Sequence, residues 1–459
     1  MFIDHFAPES SPIVPAPAPP TPHTLQTDAL GWLKVAGLGI AIAISGQFSG
    51  WNYGLSTGGW GGLVVAALIT GLFYLGFTQC VAELAAAMPT AGGFETYCRK
   101  AFGTSAGYLV GMSVLIALAI AVGVVANFTA AYGKAVLGIG EVPLKIALFG
   151  VVLLLQLRGA REAVGATMVV GLTAVGVLLL FAACMAPFVS AQHLLPAQEH
   201  DLFPHGVGGV FASLPFALWL FLGVEQAALA AEEAADPSRT IPKALTIAVV
   251  TLLLVGLGVL FFGPAGGGTE QLRGADDPLY AALTSPFAYG KQGWLTKTIG
   301  SGALIGLVAT FFSVVYTSSR QLYSLARDGY LPSSLAATNS KQAPHAALAV
   351  VVGIGILAAL FPPAKAMLLV IFLLCVSYVF VLAAFVRLRL RNAALPRPYR
   401  AFGGYVTAYA TAAVCLLVLW ACFAQQSTGM AYALVVYALL LAHFILIQRR
   451  KMPARCIQS

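Results

Sequence analysis

Long apolar segments alternate with short polar breaks along most of this 459-residue chain. Each segment has roughly 17 to 25 residues, the length that carries a helix across about 30 Å of hydrocarbon. Their apolar residues lie on all sides instead of alternating along the chain, which excludes a membrane barrel of strands. The pattern predicts an all-α membrane protein with about twelve transmembrane helices, near residues 36–55, 60–87, 106–137, 143–157, 164–188, 207–231, 243–263, 297–319, 345–361, 366–386, 404–423 and 430–447.

Two of these segments are not continuous apolar helices. The first contains Ser45, Gly46 and Gln47, and an intact helix would leave such polar groups unsatisfied in hydrocarbon, so we expect a break near Ser45–Gly46. The sixth carries Gly223 and the carboxylate of Glu225 in an apolar stretch, and we expect it to break too. Interrupted spans at matching positions of two halves are typical of a midplane transport site. We therefore predict a polytopic domain over 35–448, with five-plus-five inverted repeats at about 36–188 and 207–389 and two extra helices at about 404–447.

The composition supports a membrane protein and excludes a soluble one. Hydrophobic residues make up 59% of the chain and charged residues 9%, against roughly 25% charged residues in a soluble protein. Most of the 25 Lys and Arg residues fall in alternate loops on the side of the two termini. This asymmetry predicts a cytoplasmic (inner) membrane protein with both termini cytoplasmic. It also accounts for the net charge of +8 without a nucleic-acid partner.

The two ends of the chain lie outside the predicted bundle. Residues 1–34 are rich in Pro and Ala, a composition that cannot bury a core, and we expect a disordered cytoplasmic tail. Residues 449–459 form a short basic cytoplasmic tail. The seven cysteines show no CxxC pair and no regular spacing, which indicates reduced thiols without a disulfide framework.

Few polar groups inside the spans offer chemistry. The sequence has no GxxxxGK[ST] loop for ATP, and its spans hold no catalytic triad or metal-ligand set, so we expect neither an enzyme nor a cofactor or metal. Glu225 is the most informative residue, because a carboxylate within a span needs a partner or a proton. It could bind a substrate amine or carry a proton; the alternative is a structural hydrogen bond to the broken first span. Trp219 could cover a ligand or offer a cation-π face, or simply pack in the core. Glu83 suits an inner gate network and a plain helix interface equally.

Three ordered motifs resemble those of the amino acid-polyamine-organocation (APC) superfamily of permeases. They are Ala82–Gly93 with Arg99–Gly103, Phe221–Glu225 with Ala231–Pro242, and Ser319–Pro332. Within that superfamily, the stretch ISGQFSGWNYGL at Ile44–Leu55 and the segment 214–236 are most similar to the ethanolamine permeases.

The resemblance implies a bundle of inverted repeats, with substrate held between broken helices one and six and moved by alternating access. Ser45 and Gly46 match the unwound part of helix one, and Trp219, Gly223 and Glu225 match the gate and unwound part of helix six. With Gln47 these are the candidate substrate-binding residues, and Glu225 is the candidate for proton coupling. Two departures matter: many ethanolamine permeases carry an acidic residue where Gln47 stands, and the fifth span lacks the coupling lysine of some relatives.

We therefore expect a secondary active transporter that imports a small amine, driven by protons or by exchange. We expect ethanolamine as the substrate, and a neutral amino acid is the alternative substrate in the same superfamily. A channel or a permease-like receptor is disfavoured, because the chain has neither a filter-like repeat nor a large added soluble domain. The expected partners are the small-molecule substrate, the lipid bilayer and protons, and the oligomeric state is left open.

Overall fold

The computed structural model describes residues 30–90, 92–158, 163–195, 201–234, 236–290, 293–392 and 394–445. The predicted tails therefore lie outside the described residues, apart from 30–34. Across these ranges the chain is helical and forms no β-strand. The α-helices are α1 (Trp32–Ala43), α2 (Ser45–Phe48), α3 (Tyr53–Ala87), α4 (Gly93–Phe102), α5 (Thr104–Leu137), α6 (Glu141–Leu157), α7 (Ala163–Met185), α8 (Ala191–Leu194), α9 (Gly206–Trp219), α10 (Pro237–Gly267), α11 (Thr269–Leu272), α12 (Pro278–Leu283), α13 (Trp294–Arg327), α14 (His345–Ala358), α15 (Pro363–Arg391), α16 (Tyr405–Gln425) and α17 (Ser427–His443).

The described helices account for the predicted spans. Eight helical segments are long and apolar enough to cross a membrane by length and composition. Shorter apolar helices at α1, α14 and α17, together with the 17-residue α6, correspond to the remaining four. α3 is kinked at Gly59, whose φ of +70° separates the end of the first span from the second. The all-α membrane fold is therefore confirmed.

The contacts between helices in the first five spans resemble those in the next five, as expected of two structural repeats. If each of the first five spans is exchanged with the span five places later, most of the main contacting pairs map onto contacting pairs. Thus α3 packs on α9 as α10 packs on α1, α5 on α15 as α13 on α7, and α5 on α14 as α13 on α6. The pairs α5–α13 and α3–α10 map onto themselves and also pack together. Because five spans are an odd number, two such halves would cross a membrane in opposite directions, and the inverted repeat with its bounds stays a prediction.

Small residues permit this packing. Lipid tails are as apolar as leucine, so membrane helices associate through close van der Waals contact at small residues. At the α5–α14 crossing, a Cβ atom added to Gly123 would lie 2.6 Å from the carbonyl oxygen of Gly355. The helices α16 and α17 pack on the outside of this bundle, against α3, α9 and α15 in one case and α5 and α15 in the other.

Candidate functional site

The first span loosens at the point where the sequence predicts a break. Between α1 and α2 the backbone N–H of Gln47 donates to the Ile44 carbonyl at 3.0 Å. This bond spans three residues, one fewer than the bond of an α-helix. The Ala41 carbonyl accepts the Thr310 hydroxyl of α13 at 2.9 Å. The backbone at Ile44 nevertheless keeps right-handed helical angles. The region Ser45–Gly46 is therefore a loosened helical turn, and the full break lies further along the chain.

That full break occupies residues 49–52. Ser49 is extended, with φ −152° and ψ 157°, and Gly50 has φ +100°, a conformation that favours glycine. The polar side chains released here bind one loop between α10 and α13. Ser49 donates to the Asp276 carbonyl at 2.9 Å, Asn52 donates to two carbonyls of the segment 272–275 at 2.9 and 2.7 Å, and Tyr53 donates to the Asp276 carboxylate. Such interactions explain the position of the break, because these groups obtain partners only where the chain leaves the helix.

The sixth span breaks between Trp219 and Glu225. Pro215 lies inside α9 without ending it. The helix stops after Trp219, Gly223 turns the chain with φ +95°, and a 3₁₀ segment runs from Val224 to Glu233. Glu225 is thus in the first turn after the break, as the prediction for this span required.

The two broken spans touch at Gly46. A Cβ atom added there would lie 2.3 Å from the Trp219 carbonyl oxygen, so the two backbones are in direct contact. Next to this contact, the side-chain amide nitrogen of Gln47 (Nε2) donates to the Leu220 carbonyl at 2.9 Å and to the Leu252 carbonyl at 3.3 Å. Gln47 is fully buried and its Oε1 has no partner among the described residues. The Gln47 side chain therefore links the first broken span to the sixth span and to α10.

Glu225 has only uncharged donors around it. The carboxylate is 1% exposed. It accepts the Tyr378 hydroxyl at 2.7 Å, the Gln226 amide at 3.1 Å and the Gly223 backbone N–H at 3.1 Å. Tyr378 in turn lies 3.3 Å from the Tyr74 hydroxyl, which extends the network across α15 and α3. The structural alternative, a bond to the backbone of the first span, is not what these described residues form.

A small cavity lies beside this carboxylate. It has a volume of about 10 Å³, the size needed for about one water molecule. Glu225, Gln226 and Tyr97 line it together with the segment 92–94 before α4. The Tyr97 hydroxyl is buried and finds no hydrogen-bond partner among the described residues. Glu225 and the unpartnered Tyr97 hydroxyl therefore both border a space of about one water molecule.

The side chain of Trp219, at the end of α9, packs against the first broken span and α5. Its side chain is 3% exposed and lies against Gly50, where an added Cβ would be 2.8 Å from the indole. Its ring meets the Phe128 ring edge-on, with centroids 6.5 Å apart. The indole Nε1 is buried without a partner among the described residues. In this conformation Trp219 packs in the core, and its role as a cover over substrate stays a prediction.

Glu83 belongs to a separate polar network near the termini side. Arg389 at the end of α15 binds both of its carboxylate oxygens, with the Nε bond at 2.8 Å. Arg397 Nε lies 3.5 Å from the carboxylate, and the Ala401 backbone N–H donates to it at 2.7 Å. This network attaches α15 and the segment that follows it to α3. It does not touch either broken span, which favours the interface interpretation of Glu83 over the gate.

Sequence reasoning missed Tyr378 and Thr310. Both belong to spans whose neighbouring residues are mostly apolar, and a hydroxyl inside a span needs a partner. That signal was available for both residues, but the identity of their partners was not. Contacts between α15 and the 3₁₀ segment, or between α13 and α1, depend on the folded bundle.

Comparisons with known proteins agree with this architecture. The chain is 28% identical to an uncharacterized transporter of Rhizobium meliloti, over 75% of this chain and 76% of that protein. It is 25% identical to the branched-chain amino acid permease BcaP of Bacillus subtilis, over 89% of this chain and 91% of the permease. A crystal structure of a manganese transporter mutant from Eremococcus coleocola superposes with a TM-score of 0.62 at 13% identity, covering 92% of this chain and 96% of that one. The low identity means that this last likeness shows the fold alone.

A family model described as amino acid permease matches residues 30–445. The match contains both broken spans, the Glu225 network and the helices that surround them. The relatives named above are transport proteins. This chain therefore belongs to the amino acid permease family and is a membrane transporter, not an enzyme.

Proposed function

We propose that the protein imports a small amine of the ethanolamine class by alternating access between its two broken spans. The supporting observation is Glu225, a buried carboxylate bound by three uncharged donors. Burying an unpaired charge inside a membrane protein is costly, so this site favours a cation or a proton. A compact amino alcohol supplies one positive charge, whereas a neutral amino acid brings its own carboxylate and leaves Glu225 without net compensation.

Glu225 is also the proposed proton carrier. In this scheme the carboxylate is neutralised by a proton when the ammonium leaves, and the cavity beside Tyr97 gives the proton its route. Glu225→Gln keeps size and hydrogen bonding but removes the charge, so we expect loss of concentrative uptake with some exchange retained. Tyr378→Phe keeps the carboxylate and removes its 2.7 Å donor, and we expect a shifted pH profile with uptake partly retained. Accumulation by Glu225→Gln with the same pH dependence as wild type would contradict this role.

A neutral amino acid is the second candidate. The turn at Ile44 is loosened, with the Ala41 carbonyl occupied by Thr310, and we propose that the backbone N–H groups of Ser45 and Gly46 meet the substrate carboxylate there. Backbone N–H groups at helix interruptions bind anionic groups, including a substrate carboxylate. The similarity to a branched-chain amino acid permease supports the same candidate.

Competition in proteoliposomes distinguishes the two candidates. Labelled ethanolamine uptake would be measured against excess ethanolamine, choline, alanine, serine, leucine and putrescine, and labelled alanine uptake against the same panel. The amine proposal expects saturable ethanolamine uptake that alanine and leucine do not inhibit. Strong inhibition by alanine or leucine, with none by ethanolamine, would replace it with the amino acid alternative. Flux that does not saturate would instead indicate a channel.

The proposed orientation has both termini in the cytoplasm of a bacterial-type inner membrane, on the basis of the basic loops. Ser238, at the start of α10, then faces the cytosol. Ser238→Cys in a cysteine-free variant should react with a membrane-impermeant thiol reagent only after the cells are opened. Labelling in intact cells would reverse the orientation.

A further inference from the structure

A cleft with apolar walls lies on the outer surface of the bundle between α5, α15 and α17. Its volume is about 290 Å³, roughly twice that of an apolar cavity of about 150 Å³ that binds benzene. On the α17 side, Leu434 and Leu441 are 52% and 41% exposed, so the cleft is open to the surroundings. The apolar side chains of its walls include Leu109, Val110, Val376, Phe380, Leu434 and Leu441.

Three hydroxyl groups in the walls are turned away from the cleft. Ser113 and Ser377 donate to the Leu373 carbonyl at 2.8 and 3.1 Å, and the Tyr437 hydroxyl donates to the Ser113 hydroxyl oxygen. Because these polar atoms satisfy one another, the surface left to line the cleft is made of carbon. Such a surface suits an apolar ligand and offers nothing to a polar solute or to water.

The cleft is also too small for a protein helix. A helix with its side chains is about 10–12 Å across, whereas this cleft extends over about one turn of α5, from Leu109 to Ser113, and about two turns of α17, from Leu434 to Leu441. In the apolar part of a membrane protein the surrounding medium is lipid hydrocarbon. An acyl chain has the width and the chemistry to enter.

One end of the cleft is cationic. Arg387 follows Phe380 by seven residues on α15, so it lies on the same face about 10.5 Å nearer the termini side. Its guanidinium lies 5.2 Å from the Phe102 ring, directly before α5 begins. Lys100, two residues earlier, is exposed. Among the described residues no carboxylate forms an ion pair with Arg387.

We propose that this cleft binds an anionic phospholipid from the leaflet on the termini side. One acyl chain fills the cleft, and the headgroup phosphate lies at Arg387 with Lys100 beside it. Basic positions beside clefts between transmembrane helices are known to bind anionic headgroups. The site is independent of the transport substrate, since neither broken span contributes to its walls.

The test is native mass spectrometry of the full-length purified transporter with dioleoyl phosphatidylglycerol or dioleoyl phosphatidylcholine. We expect wild type to retain the anionic lipid preferentially. Arg387→Gln should lower phosphatidylglycerol retention about fivefold, the factor for one cation near an anionic surface, and leave phosphatidylcholine unchanged. Ala438→Phe, which places a ring in the cleft, should lower retention of both lipids.

Two matched variants serve as controls. Arg391→Gln removes an exposed arginine from the end of the same helix, and Ala410→Phe adds a ring to an exposed position on α16. Both should retain lipid as wild type does, and gel filtration with thermal unfolding confirms that every variant is folded. Equal phosphatidylglycerol retention by wild type, Arg387→Gln and Ala438→Phe would overturn the proposal. So would a dimer that Ala438→Phe abolishes, because the cleft would then be an interface between two copies.

Discussion

Substituting Gly46 by alanine tests whether transport depends on the direct contact between the broken spans. The added Cβ would lie 2.3 Å from the Trp219 carbonyl oxygen, 3.0 Å from its carbonyl carbon and 3.1 Å from Leu220 Cα. All three atoms belong to the backbone, so no side chain can rotate away. Since ordinary contacts of a Cβ begin near 3.4 Å, the two segments must separate by about 1 Å.

A separation of this size has a predictable cost. It would stretch the 2.9 Å bond from the Gln47 amide to the Leu220 carbonyl beyond hydrogen-bonding distance. Over-packing of a close-packed interior costs about 1–3 kcal/mol, which exceeds the gain of up to about 1 kcal/mol when alanine replaces glycine in a helix. We expect a lower thermal unfolding midpoint and a fall of about tenfold or more in the initial rate of uptake, since about 1.4 kcal/mol corresponds to a factor of ten.

The assay compares proteoliposomes of wild type, Gly46→Ala and a control, Gly258→Ala. Gly258 lies within α10, and an added Cβ there would meet no atom within 4 Å. The control should transport like wild type and be at least as stable. Uptake would be measured with whichever of ethanolamine and alanine the wild type accumulates. Wild-type uptake and stability in Gly46→Ala would refute the idea that this backbone contact positions the site.

Two further predictions concern residues away from the broken spans. Glu83→Gln leaves Arg389 partly buried without its carboxylate, so we expect a loss of about 3–5 kcal/mol in the free energy of unfolding, seen as a lower thermal midpoint. Glu141→Gln, which removes two surface ion pairs, should change the free energy of unfolding by less than about 1 kcal/mol. Burial raises the pKa of Asp277, in the loop before α12, from 3.8 to about 6. Between these values the native state binds more protons than the unfolded state, so stability falls as the pH rises from about 4 to 6. Asp277→Asn should remove this slope and raise the thermal midpoint at pH 7.5 but not at pH 4. The control Glu270→Gln, in the neighbouring helix α11, should retain the slope. An unchanged slope in Asp277→Asn would assign the effect to another group.

Much of the fold was predictable because a membrane imposes local rules. Each span must satisfy its own backbone hydrogen bonds and shield them with apolar side chains. The length and position of a membrane helix can therefore be predicted from its own sequence, without knowing which helices it packs against. The same rule made Gly223 and Glu225 conspicuous, since a turn-forming residue and a carboxylate interrupt an otherwise apolar stretch. Both lie at the observed break of the sixth span.

The tertiary structure decided what these conspicuous residues contact. The full break of the first span lies at 49–52 and not at Ser45–Gly46, because the polar groups that follow Gly46 find partners in the loop at 272–276. Glu225 binds Tyr378, 153 residues away along the chain, and Glu83 binds Arg389, 306 residues away. Hydrophobic length is a property of one segment and can be read from it alone. A hydrogen bond between distant segments depends on how the repeats pack, and that packing determines which polar residues form the site.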